Sequence, residues 1–233
     1  MLAIDVSRSM TATDVSPSRL ASAVAAAKKF VAGVPSGFRV GLVAFDDTAR
    51  VVTSPTPDHG IVVDALDQLQ PGRGTAAGDA IEASLGAIRA SLGSTDSTNG
   101  SAQQDLTATI VLLSDGATTS GEDPSEAAKH AGSDGVPVTT IAYGTDHGTV
   151  EIEGEIVPVP ADPEAMRAIA NATSGSFFEA ASATQLRAVY DDIQGRVGYT
   201  VEQREVVLWF VTAALLALMA SLAAAMFWTA RFV

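Results

Sequence analysis

One carboxylate and two hydroxyl side chains follow the first apolar segment of the chain, in the pattern Asp-x-Ser-x-Ser. Residues 1–4 are all apolar, and Asp5, Ser7 and Ser9 come directly after them. Such a segment is typical of a buried strand, so the three side chains are predicted at its carboxyl end. All three offer oxygen, and Mg²⁺ takes about six oxygen ligands. The pattern therefore predicts part of a magnesium site whose other ligands come from elsewhere in the chain.

Two later motifs offer the missing oxygens. Thr75 ends the glycine-rich stretch 71–75, and Asp115 lies in a Ser-Asp-Gly turn after an apolar segment at 109–113. Taken alone, each of these residues is a common turn or helix-cap residue, and Asp5, Ser7 and Ser9 also suit a turn without metal. Together they supply two carboxylates and three hydroxyls. The carboxyl ends of parallel strands meet at one edge of a sheet, so the five side chains are predicted to converge.

The elements that position these residues alternate between strand and helix. After the first strand, the pattern predicts strands at 39–45, 49–53, 109–113, 136–143 and 176–179, a hairpin over 149–159, and helices at 16–31, 58–69, 78–92, 123–131, 162–172 and 183–196. Continuous apolar strands between amphipathic helices predict an α/β fold: a doubly wound, mostly parallel sheet with helices on both faces. The polar stretch 93–105 is interpreted as a surface insertion.

Three further acidic residues near the predicted site have local explanations. Asp46 and Asp47 follow the second strand, where turn chemistry accounts for them. Asp79 falls in the first turn of a helix, where its charge interacts favourably with the helix dipole. None of the three is predicted to contact the ion directly, although Asp79 could support the residues that do.

Charge and composition exclude several classes of function. The net charge is −13, from 27 acidic and 14 basic residues, and no cluster of Lys and Arg offers a surface for nucleic acid. The chain has no cysteine, which excludes disulfides, thiolate zinc sites and thiol catalysis.

An uncharged segment near the carboxyl terminus predicts a membrane anchor. Residues 206–230 contain no charged residue, and as a helix they would extend for about 37 Å, enough to cross a lipid bilayer. Trp209 and Trp228 lie near its two ends, as interfacial aromatic residues do. The alternative interpretation of residues 206–230 is a helix buried in the core of the domain. The predicted organisation is a domain at 1–196, a linker at 197–205, the transmembrane helix at 206–230 and a tail at 231–233, with sequence upstream of the short first strand expected to be missing.

The three motifs together resemble the metal-ion-dependent adhesion site of von Willebrand factor type A domains. They are Asp5-Val6-Ser7-Arg8-Ser9, Thr75 in Gly-Thr-Ala-Ala-Gly-Asp-Ala, and Ser114-Asp115-Gly116. The resemblance covers residues 1–196 and implies a Rossmann-like fold that binds Mg²⁺, or Mn²⁺. It also implies that Ser7, Ser9 and Thr75 lie close to the ion, while Asp5 and Asp115 often act through water. Arg8 replaces a glycine found in many members.

The resemblance implies a binding protein in which an acidic residue of a protein partner completes the metal coordination. The chain is similar to a group of bacterial membrane proteins that usually carry two more membrane helices ahead of the domain. A related class acts as adaptor or assembly factor beside AAA-type ATPases. The basic residues flanking the anchor slightly favour an internal domain. The topology usual in the family places it outside the cytoplasm, and that orientation is the one we predict.

Enzymatic alternatives match the sequence less well. A serine hydrolase needs a histidine near its nucleophile, but His59, His130 and His147 lie in or beside polar stretches, and there is no Gly-x-Ser-x-Gly motif. A Mg²⁺-dependent phosphoryl-transfer enzyme would also place Asp5 after the first strand, but its pattern calls for a second Asp where this chain has Ser7. Enzymatic activity is therefore the second interpretation, behind metal-mediated binding.

Overall fold

A six-stranded sheet forms the centre of the computed structural model, which describes residues 1–93, 108–116, 118–152 and 154–197. The spatial order is β3-β2-β1-β4-β5-β8, with every neighbouring pair parallel except the antiparallel edge pair β2 and β3. The sheet strands are β1 (Leu2–Asp5), β2 (Val40–Phe45), β3 (Ala49–Thr56), β4 (Ile110–Ser114), β5 (Val138–Tyr143) and β8 (Phe177–Ala180). The predicted mostly parallel α/β sheet is confirmed.

In the described part of the chain, six helices cover the sheet and bury an apolar core on each of its faces. They are α1 (Arg19–Gly33), α2 (His59–Leu66), α3 (Ala77–Gly93), α4 (Pro124–Ser133), α5 (Pro163–Ala172) and α6 (Ala183–Val197). One core contains apolar side chains of α1, α2 and α6, and the other contains those of α3, α4 and α5. The strands β1, β2 and β4 are buried along their whole length, which explains their uninterrupted apolar sequences.

A separate two-stranded hairpin follows β5 and precedes α5 in the sequence. Its strands are β6 (Thr149–Ile152) and β7 (Glu155–Pro158), which pair antiparallel. Gly154 lies in the turn between them with a φ of 86°, a conformation that glycine adopts without strain. The hairpin predicted for this segment, turning at Gly154, is therefore confirmed.

The structure corrects three predicted boundaries. Helix α1 is capped by Ser18, whose side chain accepts a hydrogen bond from the Ala21 amide, so Pro17 precedes the helix instead of occupying its first turn. Helix α2 ends at Leu66 because the next residues form a tighter i to i−3 turn. Strand β3 runs to Thr56, and at an edge it tolerates a proline.

The chain divides into two compact units, Met1–Gly198 and Tyr199–Val233. The elements given above all belong to the first unit. Within the described ranges, no helix combines the length and apolar character that crossing a bilayer requires. The transmembrane helix predicted at 206–230 lies outside the described residues, as does most of the insertion predicted at 93–105.

Candidate metal centre

The strand order reverses at the boundary between β1 and β4, and the predicted ligands lie at that point. The chain moves from β1 to β2 and β3 on one side, then returns to place β4 against the other side of β1. Asp5 is the last residue of β1, and Asp115 directly follows β4. A crevice at such a reversal is the usual ligand site of an open parallel sheet.

Asp5 organises the loop that follows β1. Its buried carboxylate accepts a hydrogen bond from the Ser7 amide through Oδ1 at 2.7 Å, and from the Ser114 hydroxyl through Oδ2 at 2.5 Å. The hydroxyl oxygens of Ser7 and Ser9 lie 2.8 Å apart. A short 3₁₀ turn, Arg8–Thr11, begins within this loop. One carboxylate oxygen therefore fixes the loop and the other connects β1 to the end of β4, while the two serine hydroxyls are brought together.

Backbone hydrogen bonds fix the glycine-rich loop against the neighbouring strand ends. The Gly72 amide donates to the carbonyl of Val6 at 2.6 Å, and the Ala76 amide donates to the carbonyl of Asp46, also at 2.6 Å. The Asp46 carboxylate accepts from the Thr48 amide at 3.2 Å, which is the turn role predicted for it. Thr75, between Gly72 and Ala76, is thus held beside the loop that carries Ser7 and Ser9.

The segment after β4 holds Thr75 from the other side. The Thr75 amide donates to Oγ1 of Thr119 at 2.9 Å, while its carbonyl accepts from the amides of Thr119 and Ser120. Farther along, the Glu122 amide donates to the carboxylate of Asp79 at 2.7 Å. Asp79 therefore supports the loop from the first turn of α3, an indirect role that its position allowed.

A fully buried arginine pairs with Asp115. Nη1 of Arg19 donates to Oδ2 of Asp115 at 3.1 Å, and Nε and Nη2 donate to the two carboxylate oxygens of Asp14 at 2.9 and 2.7 Å. Nη2 also donates to the Val159 carbonyl at 3.0 Å. This arginine therefore compensates two carboxylates and connects Asp115 to the chain that follows β7.

The charge of Asp115 affects the pKa of the buried Asp5 carboxyl. Burial and the nearby charge of Asp115 raise the pKa of Asp5 from 3.8 to about 7, although hydrogen bonds from Ser114 and Ser7 oppose the change. Burial also raises the pKa of Asp14, but hydrogen bonds from Arg19 and Thr145 outweigh that effect and lower it to about 2. A positive ion at the loops would favour the ionised form of Asp5.

Four of the five predicted ligands line a single groove of about 570 Å³. They are Ser7, Ser9, Thr75 and Asp115, and Asp5 lies buried behind them in contact with Ser7. The donor set consists of carboxylate and hydroxyl oxygens alone, which suits Mg²⁺ or Mn²⁺ and gives no preference to a softer metal. The residues present therefore fit a hard divalent cation.

Sequence reasoning missed several residues that support this groove: Asp14, Arg19, Ser114 and Thr119. Arg19 carried a usable signal, because a basic residue in the first turn of a helix meets the unfavourable end of the helix dipole. Such a residue needs a compensating partner. Ser114 belonged to the Ser-Asp-Gly motif, but nothing indicated that its hydroxyl would donate to Asp5.

The histidines considered for a hydrolase lie elsewhere. Nε2 of His59 is 2.9 Å from the Phe38 carbonyl, and Nδ1 of His130 is 2.7 Å from the Glu82 carboxylate between α4 and α3. No histidine occurs among the described residues that line the groove. Ser7 and Ser9 therefore lack a histidine partner among those lining residues.

Comparison with known proteins finds a matching family and relatives that align with most of the chain. A family model of the von Willebrand factor type A domain matches residues 1–117. A UPF0353 protein of Mycobacterium tuberculosis is 42% identical over 231 residues, which cover 96% of this chain and 68% of the relative. A UPF0353 protein of Mycobacterium leprae is 42% identical over 205 residues, covering 85% of this chain and 60% of the relative.

Solved structures share the fold. An aerotolerance-related membrane protein from Bacteroides fragilis matches with a TM-score of 0.70 at 24% identity, covering 85% of this chain and 97% of that one. BatB from Bacteroides thetaiotaomicron matches with a TM-score of 0.68 at 22% identity, covering 85% and 98%. At these identities the similarity concerns the fold.

Proposed function

The chain belongs to the von Willebrand factor type A family, and on that premise we propose that it is a membrane-anchored binding domain that holds an acidic side chain of a partner protein through Mg²⁺. One observation carries the proposal. Ser7, Ser9, Thr75 and Asp115 line one groove at the point where the strand order reverses, and Asp5 lies directly behind them. Mn²⁺ would suit the same oxygen donors.

The hydroxyls are the side chains that would contact the ion in this proposal. Ser7, Ser9 and Thr75 are neutral, so they leave the charge of the cation largely uncompensated. Bound there, Mg²⁺ supplies a positive charge that attracts an oxygen anion. Asp5 fixes the loop and contributes charge from behind, Asp115 contributes charge in the groove itself, and Arg19 offsets part of the charge of Asp115. A partner's Asp or Glu therefore adds the negative charge that the site lacks.

Binding, and not catalysis, is the role that this proposal assigns to the site. General acid or base chemistry requires a titratable group within reach of the reacting atoms. The candidate with a raised pKa is Asp5, and both of its carboxylate oxygens are already used by Ser7 and Ser114. The proposed roles are accordingly adhesion, scaffolding or assembly, the last beside an AAA-type ATPase.

The metal bridge is tested by Mg²⁺ binding and by capture of partners. We propose titration calorimetry on the full chain, comparing the parent with Ser9→Ala and with Ser133→Ala, whose hydroxyl bonds the Lys129 carbonyl on α4. The parent and Ser133→Ala should bind Mg²⁺ equally, and Ser9→Ala should bind at least ten-fold more weakly. Partner capture from a native extract should then require Mg²⁺ and fail in EDTA. Equal Mg²⁺ binding by all three proteins would contradict the proposal.

The membrane anchor at 206–230 and the location of the domain outside the cytoplasm are part of the same proposal. Membrane fractionation should recover the full chain with the lipid bilayer, and a version that lacks residues 206–233 should become soluble. Protease added to intact cells should degrade the domain. Retention of the shortened chain in the membrane would exclude a single anchor at this segment, and complete protection from protease would reverse the orientation.

A further inference from the structure

The hairpin of β6 and β7 stands beside the candidate metal centre. Strand β6 contacts the 3₁₀ turn Arg8–Thr11, which belongs to the loop that carries Ser7 and Ser9. At the base of the hairpin, the Val159 amide donates to the carbonyl of Gly148 at 2.8 Å. The hairpin is therefore a fixed neighbour of the site.

The side chains of the hairpin and of the segment after it make one wall of the groove apolar. This wall is formed by Val150, Ile152, Pro158, Val159 and Pro160, and the groove is also lined by Ser7, Ser9 and Thr75, which carry the hydroxyls. Val150 is buried and Ile152 is half-buried. A volume of about 570 Å³ lies within the range of ~300–1,000 Å³ that is typical of ligand pockets, and it exceeds what a carboxylate alone requires.

The distance between the apolar wall and the oxygen donors is fixed by hydrogen bonds. Nη2 of Arg19 donates to the Val159 carbonyl at 3.0 Å, while Nη1 of the same side chain donates to Asp115. The Asp162 amide donates to the carbonyl of Asp115 at 2.6 Å. The wall and Asp115 therefore belong to one hydrogen-bonded unit, so the groove presents both surfaces at a set separation.

The charges around the groove favour an acidic segment as the occupant. The charged residues that line the groove are Arg8, Asp115 and Asp162. Arg19 pairs with Asp115, and the carboxylate of Asp162 caps α5 by accepting from the Ala165 amide at 3.2 Å. A bound cation would add positive charge to that of Arg8. The complementary ligand therefore carries one acidic side chain and an apolar one next to it.

We infer that this groove selects a partner segment in which the metal-bound Asp or Glu is directly adjacent to a large aliphatic or aromatic residue, which packs on Val150 and Ile152. The inference rests on the proposed function, because the acidic residue is the one held at the metal centre. Burial of one such side chain should strengthen binding by about ten-fold over a serine at the same place.

A peptide selection separates this inference from the proposed function. Random heptapeptides displayed on phage would be bound to the full chain in nanodiscs with Mg²⁺ and eluted with EDTA. Enrichment of Asp or Glu with an adjacent Leu, Ile, Phe or Trp supports both proposals. Enrichment of acidic residues with no preference for the neighbour overturns the inference alone. An EDTA eluate without acidic enrichment overturns the proposed function.

Two hairpin variants then test whether the apolar wall causes the preference for an apolar neighbour. Ile152→Ser removes an apolar side chain from the groove, and Ile156→Ser is the matched control, since Ile156 is 76% exposed and does not line the groove. Ile152→Ser should weaken the binding of acidic-apolar peptides, in which Asp or Glu adjoins a large apolar residue, about ten-fold. The binding of peptides with serine in place of the apolar residue should not change, and this result also shows that the metal centre is intact. Equal affinities of the two variants for the acidic-apolar peptides would overturn the inference.

Discussion

Nη1 of Arg19 lies 3.1 Å from Oδ2 of Asp115, and the side chains of both residues are almost completely removed from solvent. The partners are 96 positions apart in the sequence, and their contact connects the start of α1 to the loop after β4. A buried charge of either sign is costly without a partner. The pair therefore links the stability of the domain to the arrangement of its candidate metal centre.

Replacing this arginine should destabilise the domain strongly. Arg19→Met keeps much of the side-chain volume but removes the positive charge that contacts Asp115 and Asp14. Removal of one member of a buried ion pair costs about 3–5 kcal/mol, and urea unfolding followed by circular dichroism would measure it. Arg89→Met is the control, because its exposed ion pair with Asp134 should be worth less than about 1 kcal/mol. Similar losses in the free energy of unfolding of the two variants would show that the buried ion pair stabilises the domain no more than the exposed one.

The contribution of Asp5 to the stability of the metal-free domain should fall as the pH rises from about 4 to 7. Asp5 has a pKa of about 7 in the folded protein and an ordinary value of 3.8 when unfolded, so between these values the folded state holds a proton that the unfolded state has lost. The stabilising contribution of Asp5 is therefore greatest below pH 4, where both states are protonated, and its loss is complete above 7. This change in the contribution of Asp5 to the free energy of unfolding is on the order of a few kcal/mol.

Asp5→Asn isolates this contribution from other titrating groups. Asparagine keeps an oxygen that accepts from the Ser7 amide but has no proton to lose in this range. In EDTA, the parent should lose stability relative to Asp5→Asn between pH 4 and 7 in parallel urea titrations. A difference between the two proteins that stays constant with pH would mean that Asp5 is ionised in the fold throughout.

The site illustrates which contacts a sequence can predict. Asp5 and Asp115 end neighbouring strands, and parallel strands with crossover helices bring such ends together whatever the connecting length. Their proximity therefore follows from strand periodicity alone. The bond between Arg19 and Asp115 depends on how α1 rotates and packs on the sheet, which apolar periodicity does not define to the accuracy of one hydrogen bond. The cap of α1 at Ser18 was missed because Ser16 and Ser18 are both good capping residues.

A threonine that is hydrogen-bonded to the glycine-rich loop should control metal affinity. Oγ1 of Thr119 accepts from the Thr75 amide, so Thr119→Val removes a bond that orients the loop without changing a proposed ligand. Loss of an orienting partner typically weakens metal binding by about 10–100-fold, which titration calorimetry with Mg²⁺ would show. Thr118→Val, one position earlier, leaves the bonds to Thr75 in place and should bind normally. Unchanged affinity in Thr119→Val would argue against Thr75 as a ligand.

Two glycines of α3 should respond to alanine in opposite directions. Gly78 is buried against the loop after β4, and a Cβ there would lie 2.7 Å from the carbonyl carbon of Glu122, so Gly78→Ala should push the loop away and cost about 1–3 kcal/mol. Gly86 is exposed, with nothing within 4 Å of such an atom, so Gly86→Ala should stabilise the helix by about 0.5–1 kcal/mol. The loop at Gly78 also contributes Thr119, so Gly78→Ala should in addition weaken Mg²⁺ binding, whereas Gly86→Ala should leave it unchanged. Thermal unfolding and Mg²⁺ titration of the two variants would measure both effects, and a stabilising Gly78→Ala would mean that α3 does not pack this closely on the loop.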